Sequence, residues 1–405
     1  MKNSIVLFLA CLFCAHCTHT PKKFGSIVEI DIMASMSKNQ KINLSTVASN
    51  IEYCVLETDK KCFVGGGMIT YCSQDYVVSL GPQAMNQSVC YVFDRKTGAF
   101  IRQISSQGRG PNEYEHVNPL FWDDINEQIC VVAKMQYVFY NLDGTISHKT
   151  DFFRPGTSVF VAHDDYYVRY VPNPFGNSTI RIAFFDRTGT LIHSIPEHRS
   201  WKRTIFNGYN PIPLDGWVYA FHNDLYYKDI SCDTLYHIKD FKLQPRYIFN
   251  TGGRTFPYGE QEGGRYSDLI SWGSTDIIDR YERYVVINKI FEDNERLYFT
   301  FDYKRQRYPA VYDKTKDKLQ IMPPVSNPPS NRGRNLQHYG FENDLDGGLP
   351  FWPQQMISDK EMMCVYTAEE LLKLDKSKIT DTKLRNVLDR IDEYSNPVVA
   401  IVTLR

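Results

Sequence analysis

Three short segments carry side chains in patterns that chemistry could use. The first, Gly108-Arg109-Gly110-Pro111-Asn112-Glu113-Tyr114, is a glycine-rich turn with one cation and one carboxylate. A phosphate cradle needs a Lys-Ser/Thr pair and a helix behind its glycines, and a dinucleotide fingerprint needs a third glycine opening a helix. Neither follows here, and Pro111 removes a backbone donor. The segment reads as a tight turn, with Glu113 accepting backbone N–H groups and Tyr114 packing. Its functional alternative has Arg109 facing a central mouth and holding an anionic group beside Glu113. The second segment, Glu342-Asn343-Asp344-Leu345-Asp346-Gly347, alternates oxygen ligands before a glycine, as the first half of a calcium loop does. Its twelfth position is Pro353, where a bidentate carboxylate belongs. Glu342, Asp344 and Asp346 therefore read as a turn, with a half-formed calcium loop as the alternative, and no metal is expected. The third is Trp352, between Phe351 and Pro353, which is either a packing ring or a stacking platform for a sugar.

Other catalytic signatures are missing. The ten histidines form no H-E-x-x-H pair, and no G-x-S-x-G elbow occurs. Asp123-Asp124 and the pair Glu260 and Glu262 read as loop charges. No catalytic residue and no cofactor is nominated.

The first residues are an address. Lys2 is the only charged side chain before Lys22, and Ile5 to Ala15 is an unbroken apolar run. As a helix that run rises about 16 Å, roughly half a bilayer core, which suits a secretory signal and cannot span. A cysteine closing such a run resembles a bacterial lipoprotein signal, in which the cysteine after the cut carries the lipid. On this reading residues 1–16 are removed, Cys17 is lipidated and residues 17–26 form a tether. Cys11 and Cys14 compete with Cys17, and Cys14 and His16 stand where a branched aliphatic and a small residue are usual. An ordinary cleaved signal is the alternative. The Cys-x-x-Cys spacings here imitate zinc ligands, but in a segment that is removed they hold no structural metal.

The elements that must position these groups are β-rich. The 405 residues carry 46 basic and 47 acidic side chains, a net charge of −1. That balance lacks the basic stripe a nucleic-acid binder needs. Tyr and Phe number 27 and 24, residues that favour pleated, half-buried surfaces. Seven cysteines follow Cys17, too sparse for a disulfide-stapled mini-fold. They read as buried thiols, with one disulfide among Cys54, Cys62, Cys72 and Cys90 left open.

A hairpin pattern recurs along the middle of the chain. Alternating strands flank Asp-containing turns in Val89–Ile104, Gln136–Phe152, Ile180–Ile195 and Leu225–Ile238. Gly98, Gly144, Gly189 and Thr234 mark the turns at intervals of 46, 45 and 45 residues. No amphipathic helix intervenes between residues 50 and 330, so the period is that of a four-stranded propeller blade. The next turn, near Lys316, lies 82 residues on, which predicts either one blade with a long insertion or two degenerate blades. Six blades are expected, seven being the alternative. Thr367 to Glu370 is a capping box, and Asp381 precedes Leu384, Val387, Leu388 and Ile391 at helical spacing, so a small helical insertion is expected over about 367–392. Pro397 to Leu404 reads as a closing strand beside Ile27–Ile32.

Three local matches then carry a family resemblance. Ile51-Glu-Tyr-Cys-Val-Leu-Glu57, Gly108 to Tyr114, and Asp346-Gly-Gly-Leu-Pro-Phe-Trp-Pro353 stand in the right order and spacing. Together they resemble the six-bladed β-propeller lipoproteins of Gram-negative bacteria, relatives of the NHL-type propellers, with the first match resembling a first-blade strand. The resemblance implies an all-β six-bladed propeller over residues 27–405 and export to the envelope, and it transfers no catalytic residues. The expected role is binding of a peptide, a glycan or an envelope protein by a monomer held to the outer membrane by lipid alone, on its periplasmic or its outer surface. A hydrolase or lyase working in the central funnel, and a structural subunit of a membrane complex, are the alternatives.

Overall fold

The computed structural model describes residues 27–65, 68–81, 89–104, 108, 110, 113, 120–133, 136–150, 160–173, 176–200, 216–258, 282–326, 338–377, 379 and 381–405. Its strands form six sheets, each built on a four-stranded antiparallel meander. Blades one to five occupy residues 68–104, 120–150, 160–196, 216–250 and 286–321 in chain order. Blade six takes three strands from residues 355–404 and its outermost strand, Ala48–Val55, from the other end of the chain. The protein is thus a six-bladed β-propeller.

The burial pattern follows from stacking sheets face to face in a ring. The middle strands of a blade are covered on both sides, so they are apolar at both parities. Tyr76–Leu80, Cys90–Asp94 and Arg296–Tyr303 are buried along nearly their whole length. The rim strands Phe100–Ile104 and Ile146–Thr150 carry exposed positions instead. Six hydrophobic clusters result, one at each junction between neighbouring blades. Tyr and Phe supply most of their largest fully buried side chains, including Tyr140, Tyr167, Tyr227, Phe93 and Phe184. All seven described cysteines are free thiols, six of them buried, and Cys232 lies in a turn.

Three expectations need correction. Thr234 begins the third strand of blade four and is not the turn equivalent to Gly98, Gly144 and Gly189. The equivalent turn is Asp240-Phe241, where two non-glycine residues take positive φ of 49° and 57° and so lack the glycine signal. The closing strand Val398–Leu404 pairs with Ala48–Val55, not with Ile27–Ile32. Ile51–Val55 consequently belongs to the last blade and not to the first. The strand Val28–Asp31 instead adds in parallel to Lys242–Asn250, a fifth strand on the rim of blade four. The long interval before Lys316 holds no further sheet among the described residues, and the blades number six.

The N-terminal segment is a strap along the rim. After Val28–Asp31 comes the short helix α1 (Ile32–Met36), whose N-cap Asp31 accepts from Ala34 N at 2.9 Å. Gln40 N then donates to Ile321 O of blade five at 2.9 Å, and Leu44 N donates to Glu342 O at 2.8 Å. The strap therefore touches blades four, five and six before it becomes the last rim strand. The helical insertion sits between the second and third strands of blade six. Helix α2 (Ala368–Leu372) has both arms of the capping box, and α3 (Thr382–Arg390) is capped by Asp381 accepting from Leu384 N. Leu371, Leu384, Val387, Leu388 and Ile391 are buried in the cluster of blades five and six.

Ala400 pairs with Tyr53 on one side and Cys364 on the other. Ala400→Pro deletes a ladder donor there and orphans a buried carbonyl, a loss of at least about 1–3 kcal/mol before steric effects. We expect a clearly lower urea midpoint. An unchanged midpoint would show that the ring does not depend on this strand.

Candidate functional site

The propeller's two faces differ in construction. Turns joining first to second and third to fourth strands span two to five residues and gather on one face, the hairpin face. The strand ends that the inter-blade connections join lie on the other, the connection face, and the connections are nine (151–159) to 35 (251–285) residues long in sequence.

The acidic segment after Tyr339 is a clasp for the strap. Lys41 Nζ pairs with Glu342 Oε1 at 2.7 Å, and Ser45 donates from N and Oγ to Asp344 at 2.9 and 2.6 Å. Asp346 accepts from Tyr53 Oη at 2.7 Å, Asn343 Nδ2 at 2.7 Å and Gly348 N at 2.8 Å. Burial pushes the Asp346 carboxyl up, against the hydrogen bonds from Tyr53, Gly348 and Asn343 that favour its charge. The three carboxylates thus face three separate partners, and no group of three or more His, Cys, Asp or Glu that could hold a metal ion occurs among the described residues. The glycines have their own reasons. Gly347 takes φ of +80°, and a Cβ on Gly348 would lie 2.8 Å from Tyr53 Oη. Trp352 is 8% exposed and stacks on Phe341 with ring centroids 5.9 Å apart, inside the blade five–six cluster.

Glu113 Oε2 accepts from Gly110 N at 2.7 Å, and a Cβ on Gly108 would lie 1.8 Å from the same oxygen. The Gly-x-Gly spacing therefore makes room for the Glu113 carboxylate. Arg109, Tyr114 and the lipidation candidate Cys17 lie outside the described residues.

On the hairpin face the repeat encodes an electrostatic device. The third-to-fourth turn carries Asp followed by Arg or Lys in blades one, three and five. The Asp folds the turn: Asp94, Asp186 and Asp313 each accept from the backbone N and hydroxyl of the threonine two or three places on. The cation then locks blades together. Arg95 reaches Glu361 of blade six at 2.7 Å, and Arg187 reaches Asp123 of blade two at 2.8 Å while lying 4.4 Å over the Tyr167 ring. Lys314 pairs with Glu292 at 2.6 Å, which also takes Arg246 of blade four at 2.9 Å and Tyr219 Oη at 3.0 Å.

On the connection face, between blades three and four, Glu197 takes both Arg181 and Arg199 at 2.9 Å, and Arg199 also pairs with Asp229. The Arg199 guanidinium lies 4.0 Å over the Tyr258 ring. Burial would raise the Glu197 carboxyl, but the bonds from Arg199 and Arg181 outweigh it and hold it at about 2. Beneath this knot, Lys228 is 0% exposed and donates to Asp229 O and Cys232 O, and burial brings its ammonium down to about 8. Every cation of the knot is satisfied, so it positions loops and leaves little to offer a ligand.

The innermost strand of blade five differs. Val286–Glu292 carries a β-bulge between Ile287 and Ile290 that releases Asn288 and Lys289 from the ladder. Five of its seven residues are buried, Asn288 is half-buried and Lys289 is exposed. Lys289 Nζ donates to Gln354 O of the next blade at 3.1 Å and lies 4.8 Å from the Phe291 ring centroid. The surrounding protein lowers its ammonium below the ordinary lysine range even though the side chain meets solvent. Motif reading missed this site; its one visible signal is Asn-Lys interrupting the apolar run Val-Ile-Asn-Lys-Ile-Phe.

Ring closure and blade order define a six-bladed β-propeller. The chain belongs to the family DUF4934, a domain of unknown function, whose model matches residues 27–403. Its fold is similar to that of a Bacteroides fragilis NCTC 9343 protein described as exported, at 18% identity and TM-score 0.66, covering 94% of this chain and 100% of that one. It is also similar to a DUF4221 family member from Bacteroides vulgatus ATCC 8482, at 14% identity and TM-score 0.51, covering 89% and 97%. No curated protein matches the chain.

The Glu197 knot predicts acid lability. Its carboxyl is depressed on folding, so its stabilisation is full above pH 4.5 and is lost as pH falls towards 2. The shift corresponds to about 3 kcal/mol. Glu197→Gln should lower stability at pH 7 by about 3–5 kcal/mol, because Arg181 loses its carboxylate and Arg199 keeps only Asp229, and should flatten the acid limb of a pH–melting curve. A variant with the wild-type acid limb would remove Glu197 from that role.

Proposed function

We propose that this propeller is exported, anchored to the outer membrane by lipid on Cys17, and binds a peptide, a glycan or an envelope protein on its connection face. The observation that carries the binding reading is the asymmetry of the ring. The hairpin face is made of short turns folded by their own Asp residues and tied by cross-blade ion pairs, whereas the long inter-blade connections start and end at the opposite strand ends of the ring. The address rests on the apolar run that ends at Cys17, and the exported description of the Bacteroides fragilis relative supports it. No helix among the described residues is long and apolar enough to cross a membrane.

Two measurements test the reading. Cys17→Ser should move the protein from the membrane to the soluble fraction, since the lipid is its only anchor; continued membrane association would remove the lipid claim. Hydrogen exchange of the chain with and without envelope glycan and peptide fractions should show protection on the connection face. Protection confined to the hairpin face, or none with any fraction, would overturn the binding role.

A further inference from the structure

The bulge on the innermost strand of blade five supports a more specific statement about the ligand, and it rests on the binding reading above. The cations that tie the blades together end on carboxylates. Arg95, Arg187, Arg199, Arg246 and Lys314 each reach a carboxylate within ion-pair distance. Lys228 has none, but it is sealed from solvent with its ammonium on two carbonyls. Lys289 alone combines exposure, a desolvating surround and no carboxylate partner among the described residues; Gln354 O and the Phe291 face are what it meets. Its neighbour Asn288 has a buried Nδ2 with no hydrogen-bond partner among the described residues, a donor left unused under protein cover. The bulge therefore sets one exposed cation next to a residue whose amide donor is covered and unused, on the strand nearest the ring's axis.

We propose that Lys289 and Asn288 form the recognition point for a single carboxylate of a ligand entering along the axis, one oxygen accepting from Lys289 Nζ and the other from Asn288 Nδ2 once the covered amide turns outward. One cation matches one unit of negative charge. A phosphate dianion would leave charge uncompensated beneath protein cover, which is why the site selects a carboxylate. A charge-assisted pair in such a place also restores what desolvation takes from the lysine. The carboxylate can belong to a peptide or to a uronic acid, and the two sources share this chemistry.

Saturation-transfer NMR on the chain separates them. The probes are N-acetyl-dialanine with its amide, and glucuronate with glucose. At least one acid should bind saturably and its neutral counterpart about tenfold more weakly or worse. Lys289→Met should weaken that acid about tenfold or more, Asn288→Asp should abolish it by placing a like charge beside the carboxylate, and Lys289→Arg should retain it. Melting temperatures of the variants show whether they fold. The proposal is overturned if neither acid binds, or if Lys289→Met binds as the wild type does. Failure of both acids with connection-face protection intact removes the carboxylate and leaves the binding role standing; failure of both experiments removes both.

Discussion

The pairing of Ala48–Val55 with Val398–Leu404 is the constraint on which the rest of the molecule depends. A ring of antiparallel sheets is stable only when its last interface is closed, because each blade is covered by its two neighbours and has no core of its own. Seven residue pairs join the two ends of the chain across one sheet. This brings the N-terminal strap to blade six, and the acidic segment after Tyr339 then fixes it there through Lys41, Ser45 and Tyr53. The Asp-Gly-Gly motif is thus an assembly feature: a carboxylate to receive Tyr53, a glycine at positive φ, and a glycine with no room for a side chain.

Electrostatics sets the paired cations that tie the blades together apart from Lys289. The turn cations Arg95, Arg187 and Lys314 recur because the repeat recurs, and each ends on a carboxylate that holds neighbouring strands together. Such buried pairs enforce register and position more than they add stability. The knot of Arg181, Glu197, Arg199 and Asp229 does the same for the connection face. Lys289 breaks the rule. A cation that a blade has desolvated without neutralising is an unfinished interaction, and a ligand can complete it.

Much of the architecture was legible along the chain. The blade period, the capping box at Thr367, the helical face of Leu384, Val387 and Leu388, and the closing role of the C-terminal strand are local patterns, and local patterns survive in sequence. Thr234 misled because Asp240 and Phe241 take the turn conformation without a glycine to announce it. The closure partner misled because strands 27–32 and 48–55 are both apolar enough to serve, and only the geometry of the last sheet chooses between them.

By itself, then, the sequence determined the kind of unit, its approximate repeat and the chemistry of the glycine turns, because those depend on residues a few places apart. The tertiary structure alone decided that the blades number six, which strand closes the ring, that Glu342, Asp344 and Asp346 face three different partners, that Trp352 lies in a core, and that Lys289 has no carboxylate partner among the described residues. Each of these depends on side chains more than fifty residues away, or on the blade opposite, and burial and charge compensation exist only once those distant residues have been brought together.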